Sequence, residues 1–131
     1  MPLEIQIKRS TDPRHQATVT LELTGSLDTA TAPELERQLT PVLNSPVTDI
    51  VLDLAKLKFI SSAGLRVIAA TRKRLRERGG QVACVNMQPQ IQEVFDIVKA
   101  LPGISIFKDY AEMDAYLAVR QRSHEQQSGH E

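Results

Sequence analysis

Residues 49–80, DIVLDLAKLKFISSAGLRVIAATRKRLRERGG, contain a strand followed by a helix, and this unit decides the fold. Residues 49–54 are β-branched and mostly apolar, which is typical of a strand covered on both faces inside a parallel sheet. From Ser61 onward apolar residues recur at helical spacing on one face, and glycines 79 and 80 end the pattern as expected at a helix terminus. The unit therefore predicts an α/β domain with a buried central strand.

Strand and helix patterns alternate on both sides of this unit. Residues 3–8 and 19–23 alternate apolar and polar side chains, so they predict an antiparallel pair of strands, and Gly25 is expected to end the second. Two further short strands are predicted over residues 81–85 and 103–107. Because strands and helices alternate after the opening pair, the sequence predicts right-handed parallel crossovers and one antiparallel edge strand. Helices are predicted from capping residues 28–31 to about residue 44, over 89–100, and over 111–119 with Met113, Tyr116 and Leu117 facing the core.

Composition bounds the class of protein. The chain has 131 residues, a length that favours a single core, and its 16 basic and 16 acidic residues cancel. That balance argues against a general affinity for nucleic acid or a membrane surface. No apolar run approaches the roughly 18–20 residues of a membrane span, and the first residues lack a signal-peptide pattern. We expect a cytoplasmic domain over residues 1–119 and a polar, disordered tail over residues 120–131, which contain no apolar side chain.

Candidate catalytic and metal-binding residues are scarce. His15 falls in a predicted turn, and His124 and His130 fall in the tail, all away from any buried nucleophile. The only cysteine, Cys84, lies in an apolar strand, which is typical of a buried structural thiol and excludes an internal disulfide. We therefore predict no catalytic residue, no metal site, no cofactor and no enzymatic activity.

The turn at residues 61–65 has both a structural and a functional interpretation. Ser61 or Ser62 would cap the following helix by accepting a hydrogen bond from a free backbone N–H. A phosphoryl group placed there would face the same donors and the positive helix end, so the turn tolerates added negative charge. Asp28 follows the end of another strand and is expected at the same edge of the sheet, either as a helix cap or as part of a partner-binding surface.

Two stretches resemble the hallmark motifs of the STAS family, the bacterial anti-sigma factor antagonists. They are residues 53–65, DLAKLKFISSAGL, and residues 25–35, GSLDTATAPEL, and the resemblance extends over about residues 3–118. It implies a STAS-type domain: a mixed, mostly parallel sheet of about five strands, with an antiparallel edge strand and about four helices.

The resemblance also implies a phosphorylation-controlled switch. The expected partners are an anti-sigma factor that is also a serine kinase and a serine phosphatase of the metal-dependent type, with no nucleic acid and no direct membrane insertion. Ser62 is the expected phosphorylation site and Ser61, which stands where the family often has Asp, is the second choice. The domain is expected to be a monomer or a weak dimer. The implied partner-binding residues are Asp28, Ser61, Ser62, Ala63, Gly64, Leu65 and Arg66.

Two other functions remain open on the sequence. The missing acid at position 61 is compatible with an unphosphorylated STAS adaptor subunit of a membrane transporter or another regulatory complex. A small-molecule or nucleotide-binding module could use the same helix start. The basic residues of the predicted helix are interpreted as a solvated face or as a docking patch for an acidic partner; they are Arg66, Arg72, Lys73, Arg74, Arg76 and Arg78.

Overall fold

A computed structural model describes residues 2–9, 17–98 and 104–116. These residues form five strands and four helices, and residues 110–116 are the last helix, α4. The other elements, in chain order, are β1 (Leu3–Arg9), β2 (Thr18–Leu27), α1 (Ala32–Leu43), β3 (Asp49–Ile60), α2 (Ser62–Arg76), β4 (Gln81–Val85), α3 (Pro89–Val98) and β5 (Ser105–Phe107).

The strands lie in the order in which they occur in the chain, β1-β2-β3-β4-β5. β1 pairs with β2 antiparallel and every other neighbouring pair is parallel, which confirms the predicted mixed sheet with an antiparallel edge. The predicted turn that contains His15 and the tail from residue 120 lie outside the described residues.

Two strands are longer than predicted. β2 continues through Gly25 to Leu27, so the prediction that Gly25 ends the strand is wrong. β3 continues past residue 54 to Ile60. Register shifts in its ladder with β2 interrupt the alternation of buried and exposed side chains, but the two strands remain paired to their ends. Gly25 has φ +107°, and a Cβ there would lie 2.2 Å from the Pro2 carbonyl oxygen, so this position inside the strand accepts only glycine.

Buried side chains cover both faces of the central strands. The larger cluster joins β2, β3 and β4 to α1, α2 and α3 on one face. On the other face Val51 of β3 belongs to a smaller buried cluster with Phe107 and Met113. Side chains therefore cover both faces of β3 near its start, as predicted. The prediction for Tyr116 is wrong: its side chain is 42% exposed at the rim of the smaller cluster, with its ring 5.3 Å from that of Phe107. Leu117 lies outside the described residues.

The end of α2 is fixed by backbone geometry and by one arginine. Gly79 has φ +77°, and the Gly80 N–H donates to the Leu75 carbonyl at 2.8 Å, which confirms the predicted helix stop. The Arg78 guanidinium donates to backbone carbonyls at the end of α1 and in the segment that follows it. These bonds hold α1 and α2 side by side, with their inner faces against the sheet.

Candidate functional site

The candidate site lies where β2 and β3 end next to each other. These strands are parallel, Leu27 is paired with Ile60, and the Ser61 N–H donates to the Leu27 carbonyl at 2.8 Å. The residues that follow the two strands, Asp28 and Ser61, therefore emerge at one edge of the sheet. The expectation that Asp28 and Ser62 share this edge is confirmed.

Ser61 is the N-terminal cap of α2. Its backbone is extended, with φ −99° and ψ 171°, and its Oγ accepts a hydrogen bond from the Gly64 N–H at 3.3 Å. The side chain is half-buried. Of the two serines that the sequence offered as caps, Ser61 takes this role, and its hydroxyl is engaged in holding the helix start.

Ser62 is the first residue of α2 and is exposed. Within the described part of the chain its hydroxyl makes no side-chain hydrogen bond, and the first turn of α2 contains no acidic residue. The N–H groups of Ser62 and Ala63 are too close to the helix start to find intrahelical acceptors. A phosphate on Ser62 would therefore meet unpaired donors and the positive end of the helix, without a neighbouring carboxylate in that turn.

Gly64 and Leu65 position the helix start from inside. A Cβ on Gly64 would lie 2.6 Å from Cγ of Leu27 and 3.2 Å from Cγ1 of Ile60, so only glycine lets α2 begin this close to the strand ends. The Leu65 side chain is 6% exposed and belongs to the larger core cluster. Among the predicted partner-binding residues of α2, Ser62 and Arg66 offer exposed side chains, whereas Ala63 is half-buried against the core.

Asp28 stabilises the loop that leads into α1. Its Oδ1 accepts hydrogen bonds from the Thr31 N–H at 2.9 Å and the Ala30 N–H at 3.0 Å. The hydrogen bond from the Thr31 N–H is the main reason that the pKa of Asp28 lies below its usual value. The Thr31 hydroxyl donates to the Ser26 carbonyl at 2.8 Å, closing the loop onto β2. Asp28 therefore presents a negative charge, held in place by its loop, beside the start of α2.

Phe59 is a surface residue of this edge that sequence reasoning did not assign. Its side chain is 52% exposed, although it stands near the end of a long apolar strand. A phenylalanine in a mostly apolar strand usually indicates a core position. Phe59 pairs with Ser26, directly after the register shift between Gly25 and Ser26 in the β2–β3 ladder. The edge thus presents an exposed aromatic ring three residues before Ser62.

Cys84 is buried, and burial raises the pKa of its thiol to about 12, which confirms the structural interpretation. No group of three or more metal-ligating side chains occurs in residues 2–9, 17–98 and 104–116. No helix in these ranges has the length and apolar composition needed to span a bilayer.

The sequence matches the STAS domain over residues 7–113, and the chain belongs to that family. A putative anti-sigma factor antagonist, BtrV of Bordetella bronchiseptica, is 39% identical over 75 residues, which are 57% of this chain and 65% of BtrV. The anti-sigma-B factor antagonist of Staphylococcus aureus is 32% identical over 73 residues, 56% of this chain and 68% of that protein. The matches therefore span about two thirds of each relative.

Solved structures confirm the predicted STAS-type fold. The unphosphorylated form of the anti-sigma factor antagonist SpoIIAA superimposes with a TM-score of 0.67 at 22% identity, over 89% of this chain and 98% of that one. Its phosphorylated form from Bacillus gives a TM-score of 0.65 at 20% identity, over 86% of this chain and 99% of that one.

Proposed function

We propose that the protein is an anti-sigma factor antagonist: a binding switch that sequesters an anti-sigma factor and releases it when Ser62 is phosphorylated. The observation that carries the proposal is the division of roles between the two serines. Ser61 is occupied as the helix cap, whereas Ser62 offers an exposed hydroxyl at the helix start. Membership of the STAS family and relatives that are named anti-sigma factor antagonists support the same function.

The unmodified surface suits protein docking. Phe59 supplies an exposed aromatic side chain, and aromatic residues are enriched among those that dominate binding energy at interfaces. Ser62 and Arg66 add exposed polar and basic groups on the first turns of α2, and Asp28 adds a fixed carboxylate at the same edge. A partner that covers this edge would bury Ser62 in the interface.

Phosphorylation would act through charge and size, without refolding the domain. A phosphoserine adds about −1.5 to −2 charges at neutral pH. The start of α2 can accept that charge on its unpaired N–H groups, so the fold is retained. The partner would instead have to accommodate a desolvated dianion, and each tenfold loss of affinity requires only about 1.4 kcal/mol.

The partners follow from this mechanism. We propose that the anti-sigma factor is itself the serine kinase that modifies Ser62, and that a metal-dependent serine phosphatase restores the hydroxyl. In this scheme the chain is a substrate and a ligand, and it performs no catalysis of its own. We place the cycle in the cytoplasm, where sigma factors act.

One observation favours a second function. Ser61 replaces the acid that the STAS pattern often has, so a kinase would meet a neutral cap. The alternative is therefore an adaptor that uses the same edge in a membrane transporter or another regulatory complex, without phosphorylation. The experiment must distinguish this adaptor from the phosphorylation switch.

Intact-mass measurement of the chain isolated from its own cells, before and after phosphatase treatment, tests the modification. We expect a phosphatase-sensitive mass increase that maps to Ser62. Binding of the cognate anti-sigma factor kinase is then compared for Ser62→Ala, Ser62→Asp and the control Gln6→Glu, which makes the same charge change on exposed β1.

Ser62→Ala and Gln6→Glu should bind like the parent, and Ser62→Asp should not bind. If all variants bind equally, or if Ser62 stays unmodified while the chain purifies with a membrane complex, the switch is wrong and the adaptor is favoured.

A further inference from the structure

A shallow groove of about 220 Å³ lies between α1 and α2. The lining combines apolar residues of both helices with two arginines of α2 and one acid of α1; it includes Leu39, Val67, Ala70, Arg66, Arg74 and Glu36.

The α2 side of the groove is positive. Two of the five basic residues of Ser62–Arg76, Arg66 and Arg74, line the groove, and this helix contains no acid. Among the described residues neither Arg66 nor Arg74 forms a salt bridge. Glu36 is the only acidic residue in the lining. The groove therefore presents guanidinium groups without ion-pair partners, which complement an acidic surface.

The groove is continuous with the candidate site. Ser62, Arg66, Ala70 and Arg74 follow one another at intervals of four residues, and all four are exposed. Residues at this spacing lie along one ridge of a helix, so the ridge runs from the phosphorylation position to the far end of the groove. A protein that covers Ser62 reaches the groove by extending along α2.

We propose that this groove is a second contact for the anti-sigma factor and that it receives an acidic segment of that partner. Carboxylates of the segment pair with Arg66 and Arg74, and its aliphatic side chains lie against Val67 and Ala70. The inference rests on the proposed function, because that function names the partner. It also deepens the switch: a phosphate on Ser62, one turn before Arg66, competes with the partner's carboxylate for that guanidinium.

Charge reversal at two neighbouring arginines tests the proposal. Arg74 lines the groove, whereas Arg76, also in the last turn of α2, lines a different cavity beside β4 and β5. The purified anti-sigma factor that binds the unmodified chain is titrated with Arg74→Glu and with Arg76→Glu at about 50 and about 500 mM salt. We expect Arg74→Glu to raise Kd about tenfold or more at low salt and Arg76→Glu to change it about twofold or less, with the difference reduced at high salt.

A neutral variant tests the shape of the groove separately. Ala70→Gln fills the groove without changing charge and retains a good helix former, so it should also raise Kd about tenfold. Thermal unfolding of each variant checks that the domain is folded. Equal losses for Arg74→Glu and Arg76→Glu, or an unchanged Kd for both Arg74→Glu and Ala70→Gln, overturn the groove contact. Failure of the unmodified chain to bind any anti-sigma factor overturns the proposed function first.

Discussion

Arg78 fastens the end of α1 to the end of α2, and its removal gives a sharp test of how the fold is held. Its Nη1 donates to the backbone carbonyls of Ser45 at 3.0 Å and Val47 at 2.9 Å, and its Nη2 donates to that of Leu43. A hydrogen bond from a charged donor contributes about 1.5–3 kcal/mol, and solvent exposure of Arg78 reduces this. We expect Arg78→Ala to lower the free energy of unfolding by about 2–4 kcal/mol.

Urea unfolding followed by far-ultraviolet circular dichroism measures this loss. Arg76→Ala is the matched control, because Arg76 is an exposed arginine two residues away whose guanidinium bonds no other described residue. This change should cost less than about 0.5 kcal/mol. Arg78→Lys should lie between the two, since a single ammonium cannot reach three carbonyls with the geometry of a planar fork. Equal losses for Arg78→Ala and Arg76→Ala would show that the three hydrogen bonds of Arg78 do not stabilise the fold.

Three further substitutions address the site and the opposite face of the sheet. Ser61→Ala removes the cap of α2 and should cost about 0.5–2 kcal/mol in denaturant unfolding, whereas no measurable loss would contradict the capping role. Gly64→Val forces a side chain against buried Leu27 and should cost about 1–3 kcal/mol while weakening binding of the anti-sigma factor; parent-like stability and affinity would show that α2 can move away freely. The Tyr110 hydroxyl donates to Oδ2 of Asp53 at 2.7 Å. Burial is the largest cause, and this hydrogen bond the second, that raises the pKa of Tyr110 above its usual value of 10.0. The folded state therefore holds the tyrosine proton more tightly, so stability should fall as pH rises above about 10, and Tyr110→Phe should remove that part of the slope in urea midpoints measured against pH.

The order of elements was predictable because hydrophobic periodicity follows directly from which face of each element is buried. Three local signals are confirmed by the structure. The mostly apolar residues 49–54 form a strand, the helical spacing from Leu65 belongs to α2, and the two glycines follow the end of that helix. The end of β3 was not predictable, since the register shifts against β2 break the alternation that marks a strand.

Side-chain roles that depend on distant contacts were also beyond the sequence. Arg78 belongs to a run of basic residues that indicates a solvated helix face, yet it bonds carbonyls more than 30 residues away in the chain. Phe59 is an aromatic residue of the type usually found in a core, yet its side chain is exposed at the point where the β2–β3 ladder shifts register. At the candidate site the sequence located both serines, and the backbone geometry then assigned the cap to Ser61.

The affinity of the cognate anti-sigma factor for the chain with phosphoserine inserted at position 62 during translation, compared with the unmodified chain, tests the switch most directly. This preparation needs no kinase, so it isolates the effect of the phosphate on binding. We expect Kd to rise by about a hundredfold or more, equivalent to about 2.8 kcal/mol, while the far-ultraviolet circular dichroism spectrum stays the same. An unchanged Kd in the phosphorylated chain would contradict it.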